Sequence, residues 1–148
     1  MRWLPLIAAV LAVTGTRSAG AQTLNVSGNP GLLRVSTAVA GSEPIAVTNA
    51  STTYSVTTGN PNRLHKITAL LSAPMPVGVT LTGNFAAPAG ATSLGPVALD
   101  ATARDVVLDI PRRTTATHAI TYTLIATVAA GVIPNSSRTV TLTIVQQP

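Results

Sequence analysis

The chain has no cysteine, so neither a disulfide framework nor a thiolate metal site is available to it. Without such cross-links, the stability of a chain of this size has to come from a packed core and from backbone pairing. Charge is also scarce, because only 9% of the 148 residues are charged and only four are acidic. Acid–base catalysis draws mainly on carboxylates and histidines. Their scarcity therefore weighs against an enzyme.

Aromatic residues make up only 3% of the chain, which leaves few platforms on which a base or a sugar ring could stack. The formal net charge is +5, and the basic residues are scattered rather than clustered. Nucleic-acid recognition depends on a concentrated basic surface. The composition therefore predicts no nucleic-acid partner. The basic residues outside the N-terminal segment are Arg34, Arg63, Lys66, Arg104, Arg112, Arg113 and Arg138.

The N-terminal segment has the order of an export signal, with a basic start, an apolar run over Leu4–Val13 and small residues after it. Ala19-Gly20-Ala21 supplies the small residues of a cleavage site. The apolar run of about ten residues is half of the roughly 20 needed to span a bilayer. We therefore predict a signal peptide over residues 1–21 and a single domain over 22–148 that has no transmembrane anchor. The processed chain is expected to be secreted, to the periplasm or the cell surface.

Apolar and polar side chains alternate with a period of two along most of residues 22–148, which is typical of half-buried β-strands. Ala119–Ala129 and Arg138–Gln146 show it best, and Gly131–Ser137 between them predicts a hairpin connection. Further strand patterns occur at Leu24–Val26, Leu33–Val39, Ile45–Val47, Tyr54–Val56, Ile67–Leu71, Val77–Leu81, Val97–Leu99 and Val106–Ile110.

Glycine and proline separate these patterns, as in Gly28-Asn29-Pro30-Gly31 and Gly59-Asn60-Pro61-Asn62. The alanine-rich segment Phe85–Ala103 is interrupted by both residue types, so we interpret it as a long loop with one short strand. The predicted fold is all-β: an antiparallel, immunoglobulin-like β-sandwich of about eight to ten short strands.

The residues that could support catalysis do not form a recognisable motif. Asp105 and Asp109 would lie about 13 Å apart on one strand, which suits two solvated charges. His65 and His118 lack the spacing of a metal motif, and Ser93 has Gly95 and Pro96 after it, where a nucleophile elbow requires a helix. The sequence therefore predicts no catalytic, cofactor-binding or metal-binding residue, no cofactor and no enzyme activity.

Two features suggest a binding surface. Thr-x-Thr triplets at Thr80, Thr121 and Thr139–Thr143 could form a hydroxyl array for carbohydrate or ice, although threonine also simply suits exposed strand positions. The segment Thr139–Val145 has no charge or proline to blunt a strand edge, so it could pair with another chain. The alternative is that this strand is central and already paired.

The pattern ITYTLIATVAAG from Ile120 to Gly131, followed by RTVTLTI from Arg138 to Ile144, resembles the C-terminal hairpin of secreted bacterial immunoglobulin-like domains. It is most similar to the spore-coat-U and pilin-type surface subunits. That resemblance implies a sandwich that assembles by strand donation, with the segment after Gln22 as the donor. The chain departs from those subunits in having no cysteine pair and no aromatic residue at its C-terminal end.

From these features we expect an exported, non-enzymatic structural or surface-assembly subunit. Its partners would be further copies of itself or other surface proteins, bound by strand pairing. The alternative is a β-sandwich module that binds a ligand, either a carbohydrate or a surface to which it adheres.

Overall fold

The computed structural model describes residues 22–60, 62–114 and 117–148, and the predicted signal peptide at 1–21 lies outside these ranges. Nearly all regular structure in them is β-strand, and one 3₁₀ turn covers Val128–Ala130. The strands are β1 (Gln22–Ser27), β2 (Val47–Thr58), β3 (His65–Leu71), β4 (Val79–Phe85), β5 (Thr92–Ser93), β6 (Pro96–Leu99), β7 (Arg104–Ile110), β8 (Arg113–Thr114), β9 (His118–Ala126) and β10 (Val140–Gln146).

The strands form two antiparallel sheets that pack face to face. The six-stranded sheet has the order β1-β2-β9-β4-β6, with β8 paired to the end of β2, and the four-stranded sheet has the order β10-β3-β7-β5. The inward side chains of both sheets form one buried cluster. The predicted all-β, antiparallel sandwich is therefore confirmed.

The centre of the core is built around Phe85, whose ring is fully buried between two tyrosines. Its centroid lies 6.2 Å from that of Tyr54 and 6.5 Å from that of Tyr122, both in edge-to-face geometry. Gly83 makes room for this ring, because a Cβ there would lie 2.8 Å from a Phe85 ring atom. All three Phe and Tyr side chains of residues 22–148 therefore lie in the interior of the sandwich.

Burial also changes the chemistry of the two tyrosines. Loss of solvation disfavours the phenolate, and it raises the pKa of Tyr54 and of Tyr122 to about 12. The Tyr54 hydroxyl donates a 2.7 Å hydrogen bond to the carbonyl of Ala86. Both side chains therefore stay neutral and structural at ordinary pH.

The first and last long strands, β2 and β10, occupy unusual places for a sandwich of this type. In an immunoglobulin sandwich the first strand lies beside the second and the last beside the next to last. Here β2, the first long strand, pairs with β9, and the last strand β10 pairs with β3. The central pairs β3–β7 and β4–β9 keep the usual arrangement. Compared with the immunoglobulin arrangement, β2 and β10 have each moved to the opposite sheet.

This exchange shows that the predicted hairpin between the last two strands is wrong. Strand β9 lies in the six-stranded sheet and β10 in the four-stranded sheet, so residues 127–139 cross from one sheet to the other. Two valines predicted to face inward lie in the loops at this end instead: Val77 is 93% exposed and Val128 is 66% exposed. Apolar and polar residues still alternate in the sequence of these loops, but the loop backbone is not paired with either sheet.

Residues 28–46 form no strand, contrary to the pattern at Leu33–Val39. Leu33 packs against the core, while Leu32 and Val39 are exposed. The glycines and prolines of this segment interrupt the extended pairing that alternation alone would favour. Conversely, Phe85–Ala103 carries two short strands, β5 and β6, where one was predicted.

A bulge in β7 changes the expected pattern of its side chains. The pairing with β3 shifts register twice, so Val106 and Val107 are both buried, and Asp109 has a φ of 58°. The bulge also separates the environments of the two acids. The carboxylate of Asp105 lies 2.9 Å from the ammonium of Lys66, and the backbone N–H of Asp109 donates to the side chain of Gln147 at 2.9 Å.

Candidate functional site

The four sheet edges differ sharply in how they are protected. On one side of the sandwich the edges are β5, which has two residues, and β6, which has four and begins at Pro96. We call this the closed flank. On the other side the edges are β1, with six residues, and β10, with seven. Neither contains a charged residue or a proline. We call this the open flank, because it lacks the features that usually blunt an edge.

The hydrogen-bond pattern shows which backbone groups of β10 face the open flank. The N–H of Ser72 donates to the carbonyl of Thr139 and the N–H of Gln147 donates to that of Leu64, both at 2.9 Å. Because bonding alternates along an antiparallel ladder without register shifts, the odd-numbered residues of β10 bond to β3. The even-numbered residues, from Val140 to Gln146, therefore point their N–H and carbonyl groups away from the sheet.

No strand in the described part of the chain pairs with these even-numbered groups, although β1 lies close to β10 at this flank. Strand β10 pairs only with β3 there, and the backbone hydrogen bonds outside the strands do not involve them. The prediction of an uncharged, unpaired edge at the C-terminal strand is thus confirmed in its geometry. The interpretation that this strand is central does not hold.

Apolar side chains at the open flank are only partly buried. Leu24 on β1 and Val140, Leu142 and Ile144 on β10 contact the core but remain partly accessible, and Val26 is 50% exposed. At the closed flank Leu99 is almost completely covered, whereas Val97 on the same strand is partly buried. An added strand would therefore find apolar side chains as well as free backbone groups at this flank.

The segment after Gln22, expected as a donor strand, is β1, and it is paired in its own chain. All six of its residues lie opposite β2, from Gln22 beside Thr58 to Ser27 beside Thr53. Most of its side chains are exposed, so the strand is held mainly by backbone pairing. Strand β1 therefore covers the part of the β2 edge from Thr53 to Thr58.

The outer face of the six-stranded sheet is a second candidate surface, and we call it the threonine face. None of its described outward side chains is charged. Thr48 lies directly opposite Thr123, and Thr123 lies opposite Thr82, which gives a row of hydroxyl side chains across three neighbouring strands about 4.8 Å apart. The face consists of Thr23, Asn25, Ser27, Thr48, Thr53, Ser55, Thr57, Thr80, Thr82, Asn84, Pro96, Ala98, Ala119, Thr121, Thr123 and Ile125.

The sequence located only part of this surface. The Thr-x-Thr triplets at Thr80 and Thr121 do meet on one face, whereas Thr139–Thr143 lies on the other sheet. The contributions of β1 and β2 were not predicted, because their Ser, Asn and Thr residues form no repeated triplet. Only the register of β1 on β2 brings them to the same face.

The candidate catalytic residues singled out in the sequence do not come together, and only His65, opposite Gln146 of β10, lies beside one of these surfaces. His65 is fully buried, and neither of its ring nitrogens has a hydrogen-bond partner. The ring of His118 lies 5.7 Å from that of Tyr54. The hydroxyl of Ser93 accepts the N–H of Gly95 at 3.1 Å, which closes a local turn followed by a strand and not by a helix.

Of the two other acids, Glu43 accepts the backbone N–H of Val128 at 2.7 Å, and Asp100 pairs with the first residue of β7. Asp100 binds the guanidinium of Arg104, and this hydrogen bond lowers the pKa of the carboxyl and raises that of the arginine. Over residues 22–60, 62–114 and 117–148, no three His, Cys, Asp or Glu side chains come close enough to hold a metal ion. The same residues contain no helix with the length and hydropathy of a membrane span.

Comparisons with models of protein families, with curated proteins and with solved structures gave no match. The fold itself therefore defines the class of protein: a two-sheet antiparallel β-sandwich with one open flank.

Proposed function

We propose that this protein is an exported, non-enzymatic structural subunit that assembles at the cell surface by pairing strand edges. The observation that carries the proposal is the edge of β10, seven residues long, without charge or proline and with its even-numbered backbone groups unpaired. Strand addition needs only such an edge, together with pockets or apolar side chains for specificity. The partly buried side chains of the open flank supply the second requirement.

The low charge of the flank favours assembly for a further reason. Lysine or another charge on an edge strand makes pairing with a second strand costly, because the charge would have to be desolvated. The ion pair between Lys66 on β3 and Asp105 on β7 is neutral overall. Arg138, two residues before β10, is the nearest charged side chain along the chain, and its guanidinium donates to the carbonyls of Pro74 and Ser137.

A charge placed on β10 tests the proposal. Thr143→Lys puts an ammonium on an exposed position of the edge strand, and Ala98→Lys, on exposed β6 of the closed flank, is the matched control. We expect light scattering to show that the chain beginning at Gln22 self-associates or binds exported partners, that Thr143→Lys abolishes this, and that Ala98→Lys does not. Loss of assembly in both variants, or in neither, would contradict the role of the β10 edge.

Removal of β1 separates the two ways in which the open flank could work. If β1 of one molecule is donated to β2 of another, as the resemblance to pilin-type subunits implies, deletion of residues 22–30 abolishes assembly. If β10 is the point of attachment, the deletion leaves assembly intact. We expect the second result, because β1 already pairs with its own β2 along its whole length.

The threonine face supports the second candidate function, a module that binds a carbohydrate surface. Its row of Thr48, Thr123 and Thr82 presents hydroxyl groups on a flat, uncharged sheet. The test is sedimentation with insoluble cellulose, chitin and peptidoglycan. Thr123→Val keeps the shape but removes the central hydroxyl, and Thr141→Val on the other sheet is the control. Binding that falls only in Thr123→Val supports this function, and absence of binding to all three polymers refutes it.

A further inference from the structure

The free backbone groups at the edge of β10 come from four residues spaced two apart: Val140, Leu142, Ile144 and Gln146. A strand that pairs with this edge must offer its own free groups at the same spacing. A second β10 offers the same four residues on an edge of the same length, with no charge or proline among them.

We propose that two copies of this chain join through their β10 strands, antiparallel and related by a two-fold axis at Thr143. The proposal rests on the proposed function and names its partner as the chain itself. Around this axis Val140 lies opposite Gln146 of the second copy, and Leu142 lies opposite Ile144. Each such pair exchanges two hydrogen bonds, so the four symmetric pairs give about eight. The two four-stranded sheets become one continuous sheet.

The register around Thr143 is the one that uses the whole edge. A two-fold axis at Leu142 leaves Gln146 without a partner, and an axis at Ile144 does the same to Val140. Because each unpaired edge residue forfeits two hydrogen bonds, both shifted registers form fewer bonds than the register around Thr143. The backbone therefore distinguishes the three registers before side chains are considered.

The side chains agree with the same register. On the core side, Leu142 meets Ile144 twice, and these are the partly buried residues that the open flank leaves exposed. On the solvent side, Thr143 meets Thr143 and Thr141 meets Val145. Pairs of β-branched and apolar residues, and pairs of threonines, are favourable across neighbouring strands. No charge approaches another, since β10 carries none.

The absence of cysteine makes the arrangement directly testable by cross-linking. In Thr143→Cys the only disulfide that can form joins two copies at the same position. Residues that face each other without hydrogen bonds have Cα atoms about 4.5 Å apart, within the range of a disulfide. The control is Thr141→Cys, because in the proposed register the two Thr141 residues lie about 13 Å apart along the strands. Both positions are exposed, so both variants should fold.

We expect mild oxidation to convert most of Thr143→Cys into a covalent dimer on a non-reducing gel, with at least a tenfold smaller yield for Thr141→Cys. Equal yields would indicate random collision and would overturn the proposal, as would absence of the Thr143→Cys dimer. Light scattering of the unsubstituted chain shows whether a negative result contradicts only the pairing through β10 or also the proposed assembly function. If it assembles while Thr143→Cys does not cross-link, the assembly function stands and this pairing is wrong. If it remains a monomer, both are wrong.

Discussion

All four edge strands of this sandwich lack charged residues, yet only one flank has the short edges and the proline that protect against pairing. The closed flank ends in β5, which has two residues, and in β6, which begins with a proline. The open flank ends in β1 and β10, which have six and seven residues and neither charge nor proline. A lack of charge is common to both flanks, so length and proline are what distinguish them. This difference supports the proposal that the open edges pair with another strand.

Packing differs between the centre of the core and the open flank. In the centre, Phe85 is fully buried. At the open flank, Leu24, Leu142 and Ile144 contact the core but remain partly exposed. The same kind of apolar side chain thus contributes less burial, and less free energy of folding, at the open flank.

The largest expected effect on the free energy of unfolding comes from a substitution at the centre of the core, and a substitution at the open flank should have a smaller one. Phe85→Ala removes a fully buried ring that contacts two tyrosines, so it should lower the free energy of unfolding by about 3–5 kcal/mol. Leu142→Ala removes a partly exposed side chain and should cost about 1–2 kcal/mol. Urea unfolding of both variants at low protein concentration measures the difference. Equal costs would show that the open flank is as well packed as the centre.

Alkaline titration of the tyrosines reports on the centre of the core alone, since neither β1 nor β10 contains an aromatic residue. The pKa of Tyr54 and of Tyr122 is raised to about 12 in the folded chain and is about 10 when unfolded. The folded state thus holds both protons more tightly, so stability is fully present below pH 10 and is lost as pH rises from about 10 to 12.

Both tyrosines contribute to this loss, because a pKa that is higher in the folded chain than in the unfolded chain favours the folded chain only while the hydroxyl stays protonated. Unfolding should therefore coincide with the appearance of tyrosinate absorbance. Tyr122→Phe should remove about half of the pH dependence. A tyrosinate signal near pH 10 from a chain with native circular dichroism would contradict the burial of these hydroxyls.

The sequence was sufficient to predict that the chain forms β-strands, but not to predict which strands lie at the edges of the two sheets. Alternation identified β3, β4, β9 and β10 as strands, because a half-buried sheet imposes a period of two on any chain. It could not assign β9 and β10 to different sheets, since the period is the same in a hairpin and in a crossover. It also failed at Val77 and Val128, where alternation continues into loops. The open edge was recognised from composition, but its position depended on the pairing of the terminal strands.

The attachment of β1 to the open flank depends on Gly28, directly after the strand. Its φ is +81°, and a Cβ there would collide with the backbone oxygen of Ser51. The Ser51 hydroxyl also donates to the carbonyl of Asn29 at 3.1 Å. Gly28→Ala should therefore lower stability by about 1–3 kcal/mol and release β1 from β2. Faster hydrogen exchange of the β1 amides would report this release.

Gly31→Ala is the matched control for this substitution. Gly31 also has a positive φ, of +68°, but a Cβ there meets no atom within 4 Å. It should carry the backbone strain of an alanine without the collision, so its exchange in β1 should stay close to that of the unsubstituted chain. If both variants accelerate exchange in β1 equally, strain alone explains the effect and the contact with Ser51 does not hold the strand.

The smallest effect is expected at His65, which faces Ile110 on one neighbouring strand and Gln146 of β10 on the other. The ring is fully buried, and neither nitrogen has a hydrogen-bond partner. A buried polar atom without a partner costs about 1–3 kcal/mol, so His65→Leu, which fills a similar volume with apolar atoms, should raise stability by about 1 kcal/mol. His118→Leu, at a half-buried ring, should bring no such gain. Because His65 lies under the end of the open edge, a loss of stability in His65→Leu would mean that the imidazole is needed there, and β10 would then be anchored by more than apolar contact.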